Sequence, residues 1–346
     1  MKKYFFLLLV VALSLTVNAQ NKSETEPYLT KSFAGESLSK VTAETSGGNI
    51  TVTGVDPSQS KVEVFVSQNN NRKTLTDEEL QSKINEDYDL DVSVKNHELT
   101  VTAKSKRRIT DWKKALSFSF KIYIPKNAAA DLTTSGGNIS LANLSGNKGF
   151  TTSGGNLNLE ALEGKTKGAT SGGNINLSNS KDDMDVSTSG GNIRAEKSSG
   201  NISIVTSGGS INMEDLNGKI KATTSGGNVK GKTIAGELNA STSGGNVSLH
   251  NLTCALKAAT SGGNIDVSVK NLGSYLSLYN SAGKVNLEIP KSIGIDLKLS
   301  AMKISTGTLE NFNGTNSNEE IKGTVNGGGI PVTVEAGSGK IDIVFN

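Results

Sequence analysis

The chain has 346 residues, of which 36 are basic and 33 acidic, and its formal net charge at pH 7 is +3. A charge so close to balance argues against a nucleic-acid partner, which needs a surplus of Lys and Arg on one surface. The sequence holds a single cysteine, so an internal disulfide is excluded and stability must come from packing and hydrogen bonds.

The first residues have the pattern of a secretory signal peptide. A short basic segment (residues 1–3) precedes an apolar one (residues 4–17), and Val17-Asn18-Ala19 is a small-residue cleavage site. The apolar segment is too short for a membrane span. We therefore predict a signal peptide at residues 1–19 and an exported mature chain, in the periplasm or on the cell surface, without a transmembrane segment.

A solenoid domain is predicted over residues 38–346, after a short N-terminal segment at residues 20–37. Its first repeat motif is Thr-Ser-Gly-Gly-Asn at residues 45–49, and the chain then departs from the repeat until about residue 130. Within this insertion we expect a small antiparallel sheet with a short helix, capping the N-terminal end of the solenoid. The expected strands are residues 61–66, 89–95, 98–104 and 117–124, and a capping box at Thr76 and Glu79 opens the helix, which runs to about Tyr88.

One connection in this insertion is dense in positive charge and holds the only tryptophan of the chain. Such a loop could contact anionic lipid headgroups or an acidic polysaccharide. The alternative is a solvated basic loop without a ligand. The candidate contact residues are Lys104, Lys106, Arg107, Arg108, Trp112, Lys113 and Lys114.

From residue 134 to residue 272 the chain repeats with a period of 18 residues. A strict period of this size predicts an all-β solenoid, in which each repeat is one rung that buries its apolar face on its neighbours. The sequence does not fit a hexapeptide solenoid, which needs an aliphatic residue every six positions, or a calcium-binding solenoid, which needs Gly-Gly-x-Gly-x-Asp every nine. An ice-binding solenoid needs an outward Thr-x-Thr row, whereas the Thr of each repeat is expected to face inward. The motif Thr-Ser-Gly-Gly-Asn starts at Thr134, Thr152, Thr170, Thr188, Thr206, Thr224, Thr242 and Thr260, with Ser210 in place of one Asn.

Two short strands are predicted in each rung. Counting Thr as position one, positions six and eight are mostly apolar, as in Ile175 and Leu177, and positions fifteen and seventeen are apolar too, as in Ile202 and Ile204. Alternation of this kind is typical of strands with one buried face. The Thr continues the alternation and should also face inward, while position eleven, as in Leu162, marks a corner.

The Gly-Gly-Asn segment is expected to form the other corner. We attribute the glycines to positive φ angles and the Asn to an amide ladder between stacked rungs. A row of this kind is predicted to be mainly structural, and the alternative is that it binds a repeating glycan. The ladder residues are Asn138, Asn156, Asn174, Asn192, Asn228, Asn246 and Asn264.

Degenerate rungs are predicted over residues 273–346, as is usual at the end of a solenoid. Residues 281–285 and 300–304 resemble rungs that have lost glycines, and residues 338–341 look like a last partial rung. Ile-Pro-Lys at residues 124–126 recurs 165 residues later at residues 289–291. The polar segment 310–320 is expected to be a mobile loop.

Catalytic, cofactor-binding and metal-binding residues are not predicted. The densest acidic group is Lys181-Asp182-Asp183 with Asp185, which we interpret as a solvated corner. His97 falls at an expected turn and His250 on a polar face, so neither suggests a metal site. Cys254 takes the place of a corner glycine, where a small residue is tolerated.

These repeats resemble a bacterial family of β-strand-repeat proteins named "putative adhesin", related to the head GIN auto-transporter adhesin domains. The resemblance rests on Ser-Gly-Gly-Asn-Ile after a strand ending in Ile-Pro-Lys, and the residues before Gln20 look like a Bacteroidota export signal. It implies a right-handed β-solenoid on the cell envelope and brings no catalytic residues.

We therefore predict an exported, non-enzymatic adhesin-like scaffold whose partner is an envelope glycan or a surface protein. The alternatives are a glycan-binding module, a polysaccharide-degrading β-helix enzyme, and a periplasmic component of the envelope-stress response.

Overall fold

The computed structural model describes residues 26–69, 75–107, 113 and 115–346. The predicted signal peptide and Arg108, Trp112 and Lys114 lie outside the described residues. Within them the chain forms 24 strands in one hydrogen-bonded network, with one α-helix, α1 (Asp77–Asp87). The strands are β1 (Leu29–Ser32), β2 (Lys40–Thr45), β3 (Ile50–Val55), β4 (Lys61–Gln68), β5 (Tyr88–Lys95), β6 (Glu98–Ser105), β7 (Leu116–Pro125), β8 (Ala129–Thr134), β9 (Ile139–Ala142), β10 (Lys148–Thr152), β11 (Leu157–Glu160), β12 (Thr166–Thr170), β13 (Ile175–Ser178), β14 (Lys181–Thr188), β15 (Ile193–Thr206), β16 (Ile211–Thr223), β17 (Val229–Ser241), β18 (Val247–Thr260), β19 (Ile265–Asn280), β20 (Lys284–Ile289), β21 (Ile295–Thr306), β22 (Phe312–Asn316), β23 (Glu320–Val325) and β24 (Ile330–Phe345).

The repeats stack as two parallel ladders, which confirms the all-β solenoid. In the Thr-side ladder, whose strands end at the Thr of each repeat, β10 pairs with β12 so that Thr152 lies opposite Thr170. In the Ile-side ladder, whose strands begin after Asn, β11 pairs with β13 so that Leu157 lies opposite Ile175. From β15 to β19 each rung is a single long strand that supplies both ladders by crossing the corner between them.

The core lies between the two ladders, where the sequence placed it. Ile175, Leu177, Ile202 and Ile204 are at most 1% exposed. Neighbouring rungs also compensate each other in size: a Cβ on Gly168 would lie 2.0 Å from the Phe150 ring of the preceding rung. Side-chain volume is therefore matched between rungs as well as within each rung.

The Thr of each motif faces inward, as predicted, and ties two rungs together. The hydroxyl of Thr170 donates to the carbonyl of Gly155 in the preceding rung (2.8 Å) and accepts from the N–H of Gly173 in its own rung (3.2 Å). Where the repeat degenerates, Asn280 takes over both roles through its amide, bonding the carbonyl of Gly263 and the N–H of Gly283. A buried hydroxyl or amide thus closes the corner on each rung.

The reason given above for the Gly-Gly pair was wrong. Neither Gly172 nor Gly173 has a positive φ. Gly173 is instead required by close approach, because a Cβ there would lie 1.9 Å from the carbonyl oxygen of Gly155 in the preceding rung. A Cβ on Gly172 would have its nearest neighbour at 3.7 Å, an ordinary contact. The same contrast recurs along the stack of motifs.

Positive φ angles occur at the opposite corner. Gly164, Gly200, Gly218 and Gly236 have φ between 75° and 127°, as expected for a tight bend. Position ten also has a left-handed backbone in seven of the eight regular rungs, which was not predicted from the sequence. Asn and Asp, which adopt this conformation readily, hold the position in four rungs, but Ala161, Lys197 and Thr233 give no such signal.

The N-terminal insertion extends the solenoid instead of standing apart from it. β6 runs parallel to β2 and β7 runs parallel to β3, so together they form an extra rung outside the first motif. β5 and β4 then pair antiparallel with this rung, and β1 pairs with β4. The capping box of α1 forms as predicted: Glu79 N–H donates to the Thr76 hydroxyl (3.3 Å).

The C-terminal end also uses a rung that is out of chain order. β24, the last strand, lies between β20 and β21 and pairs in parallel with both. Residues 338–341 are therefore last in the chain but not last in the stack. Beyond β21, the antiparallel strands β23 and β22 complete the end, so the expected loop at 310–320 contains a strand.

The two Ile-Pro-Lys segments mark equivalent steps of the chain. After β7 the chain passes over the rung of β2 and β3 to enter β8, and after β20 it passes over the rung of β24 to enter β21. Both segments therefore connect strands two rungs apart. This shared connection accounts for the duplication seen in the sequence.

Substitution of the paired glycines tests the close-approach explanation. Gly173→Ala should lower the free energy of unfolding by about 3 kcal/mol or more, because the added methyl overlaps a backbone carbonyl that has little room to move. Gly172→Ala should change it by less than about 1 kcal/mol. Denaturant midpoints followed by circular dichroism would measure both, and equal losses would contradict the explanation.

Candidate functional site

The Asn row builds the corner, although differently from the predicted amide ladder. The Oδ1 atom of Asn156 accepts the backbone N–H of Asn174 (2.7 Å), and the Oδ1 of Asn174 accepts that of Asn192 (2.8 Å). Ser210 continues the row, since its hydroxyl accepts the N–H of Asn228 (3.1 Å). The same bonding extends from Asn138 to Asn264, so each of these side-chain oxygens already accepts a hydrogen bond from the next rung.

A side-chain ladder does occur, on the outer surface of the Ile-side ladder. The Nδ2 of Asn176 donates to the Oδ1 of Asn158 (3.0 Å), whose own Nδ2 reaches the hydroxyl of Ser140 (3.4 Å). Asn158 and Asn176 are exposed, so the remaining hydrogen-bonding groups of their amides face solvent. These residues were not singled out from the sequence, although the outward position seven of each repeat could have indicated them.

The outer surface of the Thr-side ladder carries a charged groove. It has a volume of about 630 Å³ and is shallow and open. Its outward residues alternate in charge along the rod, with one pair of lysines before two aspartates and another pair after them. They are Lys165, Lys167, Asp183, Asp185, Asn201, Ser203, Lys219 and Lys221.

The described residues of the basic connection are engaged within the chain. Lys104 pairs with Glu44 (2.8 Å), and Lys106 donates to the carbonyl of Asn85 (2.8 Å). Arg107 contacts Glu86 and Asp87 at the end of α1, and Lys113 also has an interaction inside the chain. Hydrogen bonds from Lys83 and then Arg107 lower the pKa of Asp87. A ligand role for this loop stays a prediction, and its charges are partly compensated.

The acidic group at the start of β14 has structural partners. Lys181 pairs with Glu163 (3.0 Å), Asp182 accepts the N–H of Gly164 (2.8 Å), and Asp183 accepts the amide of Asn201 (2.8 Å). These contacts hold neighbouring rungs in place. Within the described ranges, groups of three or more His, Cys, Asp or Glu side chains that could hold a metal ion do not occur.

The two histidines are far apart in the fold. His97 lies with Asn96 in the turn between β5 and β6, where both residues have positive φ. The ring of His250 contacts the hydroxyls of Ser248 (2.9 Å) and Ser268 (3.2 Å), on the outer surface of the Ile-side ladder. Cys254 is buried, and desolvation raises the pKa of its thiol to about 12, as expected for a structural residue.

Lys148 is a buried lysine that was not predicted from the sequence. Lys148 occupies position fifteen, normally an apolar site, and is 3% exposed. Its ammonium group donates to the carbonyls of Leu144, Gly146 and Glu163. Burial lowers the pKa of Lys148 from 10.5 to about 8, against the attraction of Asp182 and Glu163. Only the break in the apolar pattern at this position could have indicated it.

The two kinds of Asn can be separated by mutation. Asn174→Ala removes the acceptor of the Asn192 N–H and should lower the free energy of unfolding by about 1 kcal/mol. Asn176→Ala removes an exposed side-chain bond and should cost less than about 0.5 kcal/mol. Chemical denaturation of both variants provides the measurement, and a larger loss for Asn176→Ala would show that the corner row is not structural.

Lys148 should make stability depend on pH. Because its pKa is lower in the folded chain than in the unfolded chain, the unfolded state binds more protons between pH 8 and 10.5, and stability rises with pH in that window. Relative to Lys148→Met, the wild type should gain about 3 kcal/mol from pH 7 to pH 11. Exposed Lys167→Met is the matched control: relative to this variant, the wild type should show no such gain, because both retain Lys148. A parallel pH dependence of the Lys148→Met variant and the wild type would refute this assignment.

Comparisons with known proteins found similarity to solved structures and to one family model. One similar solved structure is a "putative cell adhesion protein" from Clostridium sporogenes ATCC 15579, 13% identical, with 92% of this chain and 98% of that chain covered and a TM-score of 0.22. Another is a "putative adhesin" from Bacteroides fragilis NCTC 9343, 13% identical, with 92% and 96% covered and a TM-score of 0.23. Among curated proteins, none matches this sequence. Residues 181–344, which run from the start of β14 almost to the end of β24, match the family model described as Toastrack DUF4097.

Proposed function

We propose that the protein is an exported, non-enzymatic β-solenoid that acts as an adhesin-like interaction or scaffolding rod of the cell envelope. The observation that carries this proposal is how the polar groups of the repeat are used. The inward Thr hydroxyls and the Asn oxygens bond neighbouring rungs, whereas the side chains left for solvent project from successive strands and line two outer surfaces along the rod. Such surfaces suit extended contact with a partner more than chemistry at one point.

The acidic group at β14 is the strongest opposing candidate, because a polysaccharide-degrading enzyme would need a carboxylate pair aimed at one bond. Here Asp182 and Asp183 accept hydrogen bonds from a corner N–H and a neighbouring Asn. Both therefore have a structural use. The groove beside them is broad and shallow, without the enclosed walls that exclude water from a reacting group.

The place of action rests on the predicted signal peptide. Within the described ranges, no helix is long and apolar enough to cross a membrane. A surface rod and a periplasmic component of the envelope-stress response share this sequence pattern. They differ in whether the rod can be reached from outside the cell.

Protease accessibility on intact cells tests the proposal. A stacked β-rod resists proteolysis, so a specific cleavage site would be inserted after Gly307, which is exposed and has no atom within 4 Å of its added Cβ. Cleavage on intact cells, together with sedimentation of the purified protein with whole cells, is the expected result. Lysed cells supply the control for cleavage, and a periplasmic marker protein reports any leakage.

Protection until lysis would favour the periplasmic alternative over the surface rod. The purified protein would also be sedimented with isolated cell envelopes. Its absence from both the whole-cell pellet and the envelope pellet would overturn the interaction role.

A further inference from the structure

We propose that the outward side of the last part of β19 is a carbohydrate-binding platform for neutral glycans, built on Tyr275, Ser277 and Tyr279. This inference rests on the proposed envelope-interaction function and names the ligand class of one of its surfaces. Glycan recognition commonly uses an aromatic ring, on which the C–H face of a sugar packs, together with polar groups that bond its hydroxyls. Both features meet at this strand.

The three side chains share one face of the strand. Leu276 and Leu278 point into the core and are 1% exposed, so Tyr275, Ser277 and Tyr279 point outward by the alternation of a strand. Their Cα atoms span four residues, or about 13 Å. This rung is two residues longer than the regular ones, since Ile265 pairs with Val285, and Tyr275 falls at the end of the irregular stretch.

The neighbouring rungs leave the ring of Tyr279 uncovered, whereas Tyr275 is half-buried. Tyr279 lies between Ala259 in the preceding rung and Glu335 in the following one, and Ser277 lies between Lys257 and Thr333. Tyr279 is 51% exposed, one of few large apolar side chains left open in the described chain. Elsewhere in the same row small residues such as Thr223 and Ser241 suffice, so the fold itself does not require a tyrosine here.

Polar groups of both kinds surround the rings. The hydroxyl of Tyr275 donates to Glu237 (3.3 Å), which fixes this ring at one side of the platform. Lys257 is exposed on the same surface, and Lys298 pairs with Glu335 (3.6 Å) beyond Tyr279. Asp296, beyond Pro331 on the side away from Glu237, adds a third carboxylate. The surface around the tyrosines therefore has no excess of positive charge, which favours an uncharged ligand over an acidic one.

The test uses the full-length mature protein on an array of neutral and acidic glycans, with affinities measured for the neutral polysaccharide that binds best. Tyr279→Ala should weaken binding at least tenfold, because it removes the stacking surface, and Tyr279→Phe should stay within about threefold of the wild type. Val344→Ala is the matched control: Val344 is 52% exposed on the outer surface of the Ile-side ladder, and its loss should leave binding unchanged. Circular dichroism of each variant would verify that the fold is intact.

Failure of this platform can be distinguished from failure of the proposed function. Binding to no neutral glycan, binding to acidic glycans alone, or equal binding by folded Tyr279→Ala would overturn the platform. Sedimentation with whole cells would still support the interaction rod in any of those cases. Two results together would support both the platform and the interaction rod. Tyr279→Ala, but not Val344→Ala, should fail to sediment with whole cells, and soluble neutral glycans should compete with the cells for the wild-type protein.

Discussion

The contact between one glycine carbonyl and the next rung is the constraint on which this rod depends. The carbonyl oxygen of Gly155 accepts the Thr170 hydroxyl and lies so close to Gly173 that a methyl group cannot stand between them. Rungs can approach to the spacing of a parallel sheet at this corner only if the second position of the Gly-Gly pair has no Cβ. The strict recurrence of Thr and of the second glycine follows from that single approach, repeated along the stack.

Much of the fold could be predicted because the sequence has two clear patterns, the alternation of apolar residues and the 18-residue period. Alternating apolar positions place Ile175, Leu177, Ile202 and Ile204 in the core, and the period sets which rungs lie side by side. The corner chemistry was harder to infer. Gly supplies either positive φ or the absence of a Cβ, and the sequence alone does not say which. Local propensity also fails at Thr233, whose left-handed backbone matches that of Asp215 and Asn251 in the adjacent rungs.

The functional surfaces were less predictable for a related reason. The residues that recur in every repeat are the easiest to recognise in a periodic sequence, and in this chain those residues have structural roles. The outward positions vary from rung to rung, so the charged groove and the tyrosines of β19 have no motif. Strand order at the two ends was hidden too, because pairing between residues distant in the chain leaves little trace in composition. The Ile-Pro-Lys duplication is a sequence signal of this strand order, but it could be interpreted only once the pairing of β24 was known.

The strand order at the ends has a consequence for how such rods can vary in length. At each end, one rung is enclosed by partners that come from elsewhere in the chain: β2 and β3 between β6–β7 and β8–β9, and β24 between β19–β20 and β21. Insertion of a repeat at either end would break these enclosures. Duplication of a regular rung between residues 134 and 272 would leave them intact. Evolution can therefore lengthen or shorten this rod from its middle, by whole rungs, while the two closed ends are inherited unchanged.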